Sequence, residues 1–175
     1  MSATHTSQSP MGANRDLDIL ARVEEVLSTV TDPEIPVISV VEMGIVSRIH
    51  IQDRAVIIDM TPTFAGCPAL DVIRANITHA LQAAGFEFVT VNVVFDPPWT
   101  SDRISQVGRE KLRAFGLAPP GQACGGLDQS ALAPVACPFC NSANTNLESI
   151  FGPTLCRAIH YCNACRQSFE EFKSV

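Results

Sequence analysis

No apolar run in this sequence approaches the ~18 residues that a membrane-crossing helix requires, and no stretch carries the clustered Lys and Arg of a nucleic-acid binder. Charged residues are only 17% of the 175, against 46% hydrophobic. The net charge of −6 falls almost wholly before residue 117, and residues 137–175 hold three basic and three acidic side chains. Membrane and nucleic-acid partners are therefore not expected. Equally missing are a catalytic Ser-His-Asp order, a phosphate-binding glycine loop and a carboxylate-rich metal motif. The first fourteen residues are polar and lack the basic start and apolar centre of an export signal. These absences lead us to expect a soluble protein of the reducing cytoplasm, with one main core and a small appendage.

What the sequence does have is cysteine. Seven is an odd number, and two pairs have C-x-x-C spacing, which in a reducing compartment signals metal or thiol chemistry rather than disulfides. Cys137-Pro138-Phe139-Cys140 and Cys162-Asn163-Ala164-Cys165 are two tight turns, each aiming two sulfurs at one centre, and together they predict a zinc ribbon with four cysteines in a tetrahedron. Such a short segment cannot stabilise itself by apolar burial, so the metal would supply on the order of 10 kcal/mol. Four thiolates leave no open position, which assigns the zinc a structural role. A redox-active dithiol and a rubredoxin-like iron site use the same sulfurs and remain as alternatives. His160, two residues before the second pair, is read as a strand residue.

Before the ribbon, hydrophobic periodicity predicts an α+β domain over residues 16–116 with three helices and a mostly antiparallel sheet. Ile19, Val23, Val26 and Val30 share a helical face that must end before Asp32-Pro33. Ile45–Ile51 and Val56–Met60 read as a hairpin around Gln52-Asp53-Arg54. Leu70, Ile73, Ile77, Leu81 and Ala84 form a second helical face beginning at Pro68, and Val89, Val91, Val93 and Phe95 alternate as in a half-buried strand. A third helix covers about Asp102 to Phe115. Residues 117–136 are expected to be a linker, 137–175 the ribbon, and 1–15 a disordered tail.

Cys67 precedes a proline at the predicted helix start. That makes it the expected N-cap, where free N–H groups and the helix dipole would lower its pKa. It reads either as an exposed nucleophile or soft-metal ligand, or as a small buried cysteine in a tight turn. Asp32 and Glu34 read either as a cap and a bend or as part of a site. Cys124 and Cys156 are left over once the ribbon is filled, and either could join Cys67 at a shared metal. Trp99 reads as a packing anchor in a loop.

Asp32-Pro33-Glu34-Ile35-Pro36-Val37, Met43-Gly44-Ile45-Val46, Thr61-Pro62-Thr63-Phe64-Ala65-Gly66-Cys67-Pro68 and Asp96-Pro97-Pro98-Trp99-Thr100 together resemble the PaaD branch of the iron-sulfur assembly domain family that also contains SufT. Phe151-Gly152-Pro153-Thr154-Leu155-Cys156 and the ribbon extend the likeness to the end of the chain. One departure is Glu42-Met43-Gly44, where that family has Asp-Leu-Gly. The resemblance implies a non-enzymatic maturation factor of phenylacetate catabolism. It would help to install or repair an iron-sulfur or iron centre in an oxygenase or reductase component of a phenylacetyl-CoA epoxidase. Cys67 would be the transfer ligand of a transient cluster, with Asp32 and Glu34 near it and Cys124 or Cys156 assisting; two chains sharing a cluster as a homodimer would each supply one such ligand. A stably bound structural or regulatory subunit of the oxygenase, and an enzyme using Cys67 as nucleophile, are the competing readings.

Overall fold

The computed structural model describes residues 10–52, 54–64, 66–121 and 135–174, with side chains from residue 16 onward. Cys124 and most of the expected N-terminal tail lie outside the described residues.

Helix α1 (Pro10–Thr29) starts six residues before Asp16. It buries Val23 and Leu27 completely, with Val30 beside them just past its end. The chain then turns through 31–44 into the hairpin of β1 (Val46–Gln52) and β2 (Ala55–Met60), whose turn residue Arg54 takes φ +75°. Helix α2 (Leu70–Ala83) crosses over and returns the chain as β3 (Phe88–Val93), which pairs in parallel with β2, Ile58 opposite Val91. The three-stranded sheet has the order β1-β2-β3. Val56, Ile58 and Met60 point to the face covered by α1 and α2, and meet Ile73, Ile77 and Leu81 there. Each of these side chains contributes about 1.5–3 kcal/mol by leaving water.

The predicted inward row of β3 holds for Val89, Val91 and Val93, which pack on this core, but not for Phe95. Phe95 lies past the strand's end and is exposed. The third predicted helix is two elements. Ser101–Arg103 is a single 3-10 turn, and Ser105 then caps α3 (Gln106–Ala114) by accepting from the Gly108 N–H at 3.0 Å. Serine is a better N-cap than helix-interior residue, which is why the break falls there.

The ribbon sheet contains β4 (Leu117–Ala118), β5 (Thr145–Ser149), β6 (Arg157–Cys162) and β7 (Ser168–Phe172) in the order β4-β7-β6-β5. Its pairs are antiparallel except β4 with β7. The expected linker thus begins inside the ribbon sheet: Leu117 and Ala118 are both buried. Two apolar residues without a periodic run carry no strand signal of their own, and their partner lies about fifty residues further on.

The two halves share one core. Leu117 and Phe172 from the ribbon sheet belong to the same buried cluster as Leu27, Ile35 and Trp99. Trp99 is the packing anchor expected of it: its ring centroid lies 5.9 Å from that of Phe172, and its indole N–H donates to the Met43 carbonyl at 3.0 Å.

Candidate metal centre and cysteine site

The two C-x-x-C turns have the same backbone. The residue after each second cysteine, Asn141 and Arg166, has φ near +60° and donates its N–H to the carbonyl of the first cysteine, at 2.9 and 2.8 Å. Each first cysteine in turn donates to a carbonyl five residues on, Cys137 to Ser142 and Cys162 to Gln167. The four sulfurs lie within 4.8 Å of one another, with Cys137 to Cys165 at 3.7 Å and Cys140 to Cys162 at 3.5 Å. Zinc–thiolate bonds of about 2.3 Å in a tetrahedron place sulfurs roughly 3.8 Å apart, so the donor set fits that ion.

Electrostatics points the same way. Backbone N–H groups of Cys165 and Ala164 bring Cys162 down to about 7. Desolvation and hydrogen bonding with the neighbouring thiols push Cys165 up to about 12. Four crowded thiols cannot all ionise without a cation at their centre; a divalent ion removes the conflict. His160 stays out of this set. It is buried on β6, stacks on Phe169 at 5.4 Å and pairs with Glu171 at 2.8 Å.

The second cysteine site lies where the ribbon meets the assembly-type domain. Cys67 sits in the loop between β2 and α2, half-buried, its N–H bonded to the Phe64 carbonyl. It is not the N-cap of α2: that position is Ala69, because Pro68 and Ala69 form one further turn before the helix begins at Leu70. The expectation of a lowered pKa fails with it. Burial pushes the Cys67 thiol up, the Ala69 backbone N–H only partly opposes this, and the charges of Asp32, Cys156 and Glu34 push it further up. These four residues are therefore electrostatic neighbours in the folded chain.

Asp32 caps its own bend, with its Oδ1 accepting from the N–H of Glu34 at 2.7 Å and of Ile35 at 3.0 Å. Cys156 approaches from the ribbon. Its Sγ lies 3.1 Å from the Thr154 hydroxyl, and its carbonyl accepts from the Lys173 N–H at 2.9 Å. The next residue, Arg157, is the one that periodicity and spacing passed over. Its guanidinium donates from Nη2 to the Glu34 carbonyl at 3.0 Å and from Nη1 to Glu170 at 2.9 Å, fastening the ribbon to the Asp32–Glu34 turn.

Comparison with known proteins places this architecture. Residues 20–93 match the family described as "Iron-sulfur cluster assembly protein", and residues 124–173 match "PaaD zinc beta ribbon domain". The chain is 39% identical over 151 residues to a protein of Escherichia coli assigned as one of the subunits of 1,2-phenylacetyl-CoA epoxidase, spanning 85% of this chain and 89% of that one. It is 34% identical over 85 residues to the Fe-S protein maturation auxiliary factor SufT of Staphylococcus aureus, which covers 47% of this chain and 96% of that one. A crystal structure of a domain of unknown function, DUF59, from Bacillus anthracis superposes with a TM-score of 0.53 at 27% identity, over 57% of this chain and 96% of that one. The fold and the four-cysteine cluster thus define a class: an iron-sulfur-assembly-type domain extended by a zinc-ribbon module. Within it, the chain belongs to the PaaD family. Among the described residues, no helix is long and apolar enough to cross a membrane.

Proposed function

We propose that this protein is a non-catalytic accessory factor of a phenylacetyl-CoA epoxidase system, acting in the assembly or repair of an iron-sulfur or iron centre in an oxygenase or reductase component. The reading is carried by one observation: a half-buried thiol, Cys67, stands on an assembly-type domain among the charges of Asp32, Glu34 and Cys156. A thiol protonated at rest gives up its proton as a metal binds, and the same preference for the neutral form helps it release the metal to a stronger site. Asp32 and Glu34 add negative potential that favours an arriving cation. The zinc of Cys137, Cys140, Cys162 and Cys165 has a closed shell and serves to shape the ribbon.

A stably bound subunit is the second reading. It is favoured by Ile150 and Phe151, which expose apolar side chains on the ribbon at 52% and 65%. The two separate in one experiment. The epoxidase components are produced with the native chain, with Cys67→Ala, or without the chain, and the iron and acid-labile sulfide of each purified component are measured. The maturation reading predicts a deficit in one component both without the chain and with Cys67→Ala. Full metal content with Cys67→Ala, together with fixed-stoichiometry co-purification, would replace it with the subunit reading.

A further inference from the structure

Cys156 is absent from the tetrahedral set of the ribbon, yet the fold holds it in place from several sides. Its carbonyl is tied to Lys173 and its sulfur contacts Thr154. The loop before it closes through the Gly152 N–H on the Arg157 carbonyl at 2.9 Å, where a side chain on Gly152 would collide with Arg157. Arg157 then pins the loop to the Glu34 carbonyl across 123 positions of sequence. Cys67 and Cys156 both pack, partly buried, against the same hydrophobic core.

From this placement we propose that Cys67 and Cys156, one from each half of the molecule, form a two-thiolate site for ferrous iron at the domain junction. The proposal rests on the maturation reading and deepens it by assigning the ribbon a direct part in holding the cargo. Mutual repulsion between the Cys67 and Cys156 charges agrees with two sulfurs directed at one region. Binding converts two thiols to thiolates and releases two protons to solvent, with no change of oxidation state: the iron enters and leaves as Fe(II). Two protein thiolates leave the remaining positions of a four-coordinate ion open, in contrast to the closed shell of the ribbon. A ligand from a recipient protein can therefore enter before the iron departs.

Cobalt(II) is the probe, because thiolate-to-cobalt charge transfer is visible in the near ultraviolet and zinc binds thiolates more tightly than cobalt, which keeps the ribbon filled with zinc. The full-length, zinc-loaded chain is titrated with cobalt(II) under anaerobic conditions. The expected result is one cobalt per chain beyond the zinc, with charge-transfer absorbance falling to about half in Cys156→Ser and in Cys67→Ser and vanishing in the double variant, as the number of coordinating sulfurs falls. Zinc at one per chain in each variant establishes that the ribbon is intact. Arg157→Gln keeps both thiols and is expected to weaken cobalt binding several-fold. Full absorbance in Cys156→Ser with loss in Cys67→Ser would overturn the paired site and leave Cys67 as sole transfer ligand. No charge transfer in the zinc-loaded native chain would overturn both the pair and the role of Cys67.

Discussion

Glu42 stands where the family resemblance led to an expectation of aspartate, and its longer side chain performs several local functions. Its Oε2 accepts from the Ser39 N–H at 3.0 Å, while the Ser39 hydroxyl accepts from the Glu42 N–H at 3.2 Å. The same carboxylate takes the Lys111 ammonium of α3 at 2.7 Å. Burial works to raise the Glu42 pKa, but Lys111 and the Ser39 groups outweigh it and hold the carboxyl below its ordinary 4.5. A depressed folded-state pKa stabilises the fold above the unfolded value and ceases to do so as pH falls through the folded one. Glu42→Gln is therefore expected to cost a constant amount of stability between about pH 6 and 7.5, with the gap to the native chain closing below about pH 4.5. Urea melts across that range check it, and a gap independent of pH would refute the assignment. At this scale the sequence was uneven. The ribbon ligands were legible because their chemistry is a local spacing. The Cys67 pKa was misjudged because a single extra turn, Pro68-Ala69, moved the helix start beyond it.

Elements with a period were legible, and those held by distant partners were not. Val23 and Val30, and Ile73, Ile77 and Leu81, are buried on the faces that the helical spacing marked. Strand β4 was read as linker since nothing in Leu117-Ala118 foretells its pairing with Glu170 and Glu171. The ribbon strands themselves have little apolar support of their own: the separate cluster between the knuckles contains only Ala118, Cys137, Cys162 and Phe169 as buried members. Their order should accordingly depend on the metal. Cys162→Ser is expected to lose the bound metal and to speed amide exchange in β5, β6 and β7 by orders of magnitude, with β1–β3 still protected. Hydrogen exchange read strand by strand decides this; protection retained across β6 without metal would show that packing alone holds the ribbon.

Over the whole molecule, the ribbon is a docked layer rather than a tethered one. Phe172, on the last strand, lies in the core of the N-terminal domain and against Trp99. Phe172→Ala is expected to destabilise the entire chain by about 3–5 kcal/mol, and a double-mutant cycle with Trp99→Leu to return a coupling of roughly 0.5–1.5 kcal/mol. Chemical denaturation followed by far-ultraviolet circular dichroism would detect both, and additive effects would argue against the ring contact as a joint between the halves. Domain order could be read from the sequence, but docking could not, because it rests on contacts such as Arg157 to Glu34 that no local pattern encodes. The consequence for function is that a thiol on each half is brought to one junction. The most direct measurement is zinc, iron and acid-labile sulfide per chain on protein purified without oxygen, native against Cys67→Ala. Zinc near one in both, with iron bound in the native chain and lost from the variant, is the predicted result; zinc alone in both would contradict a metal-carrying role for Cys67.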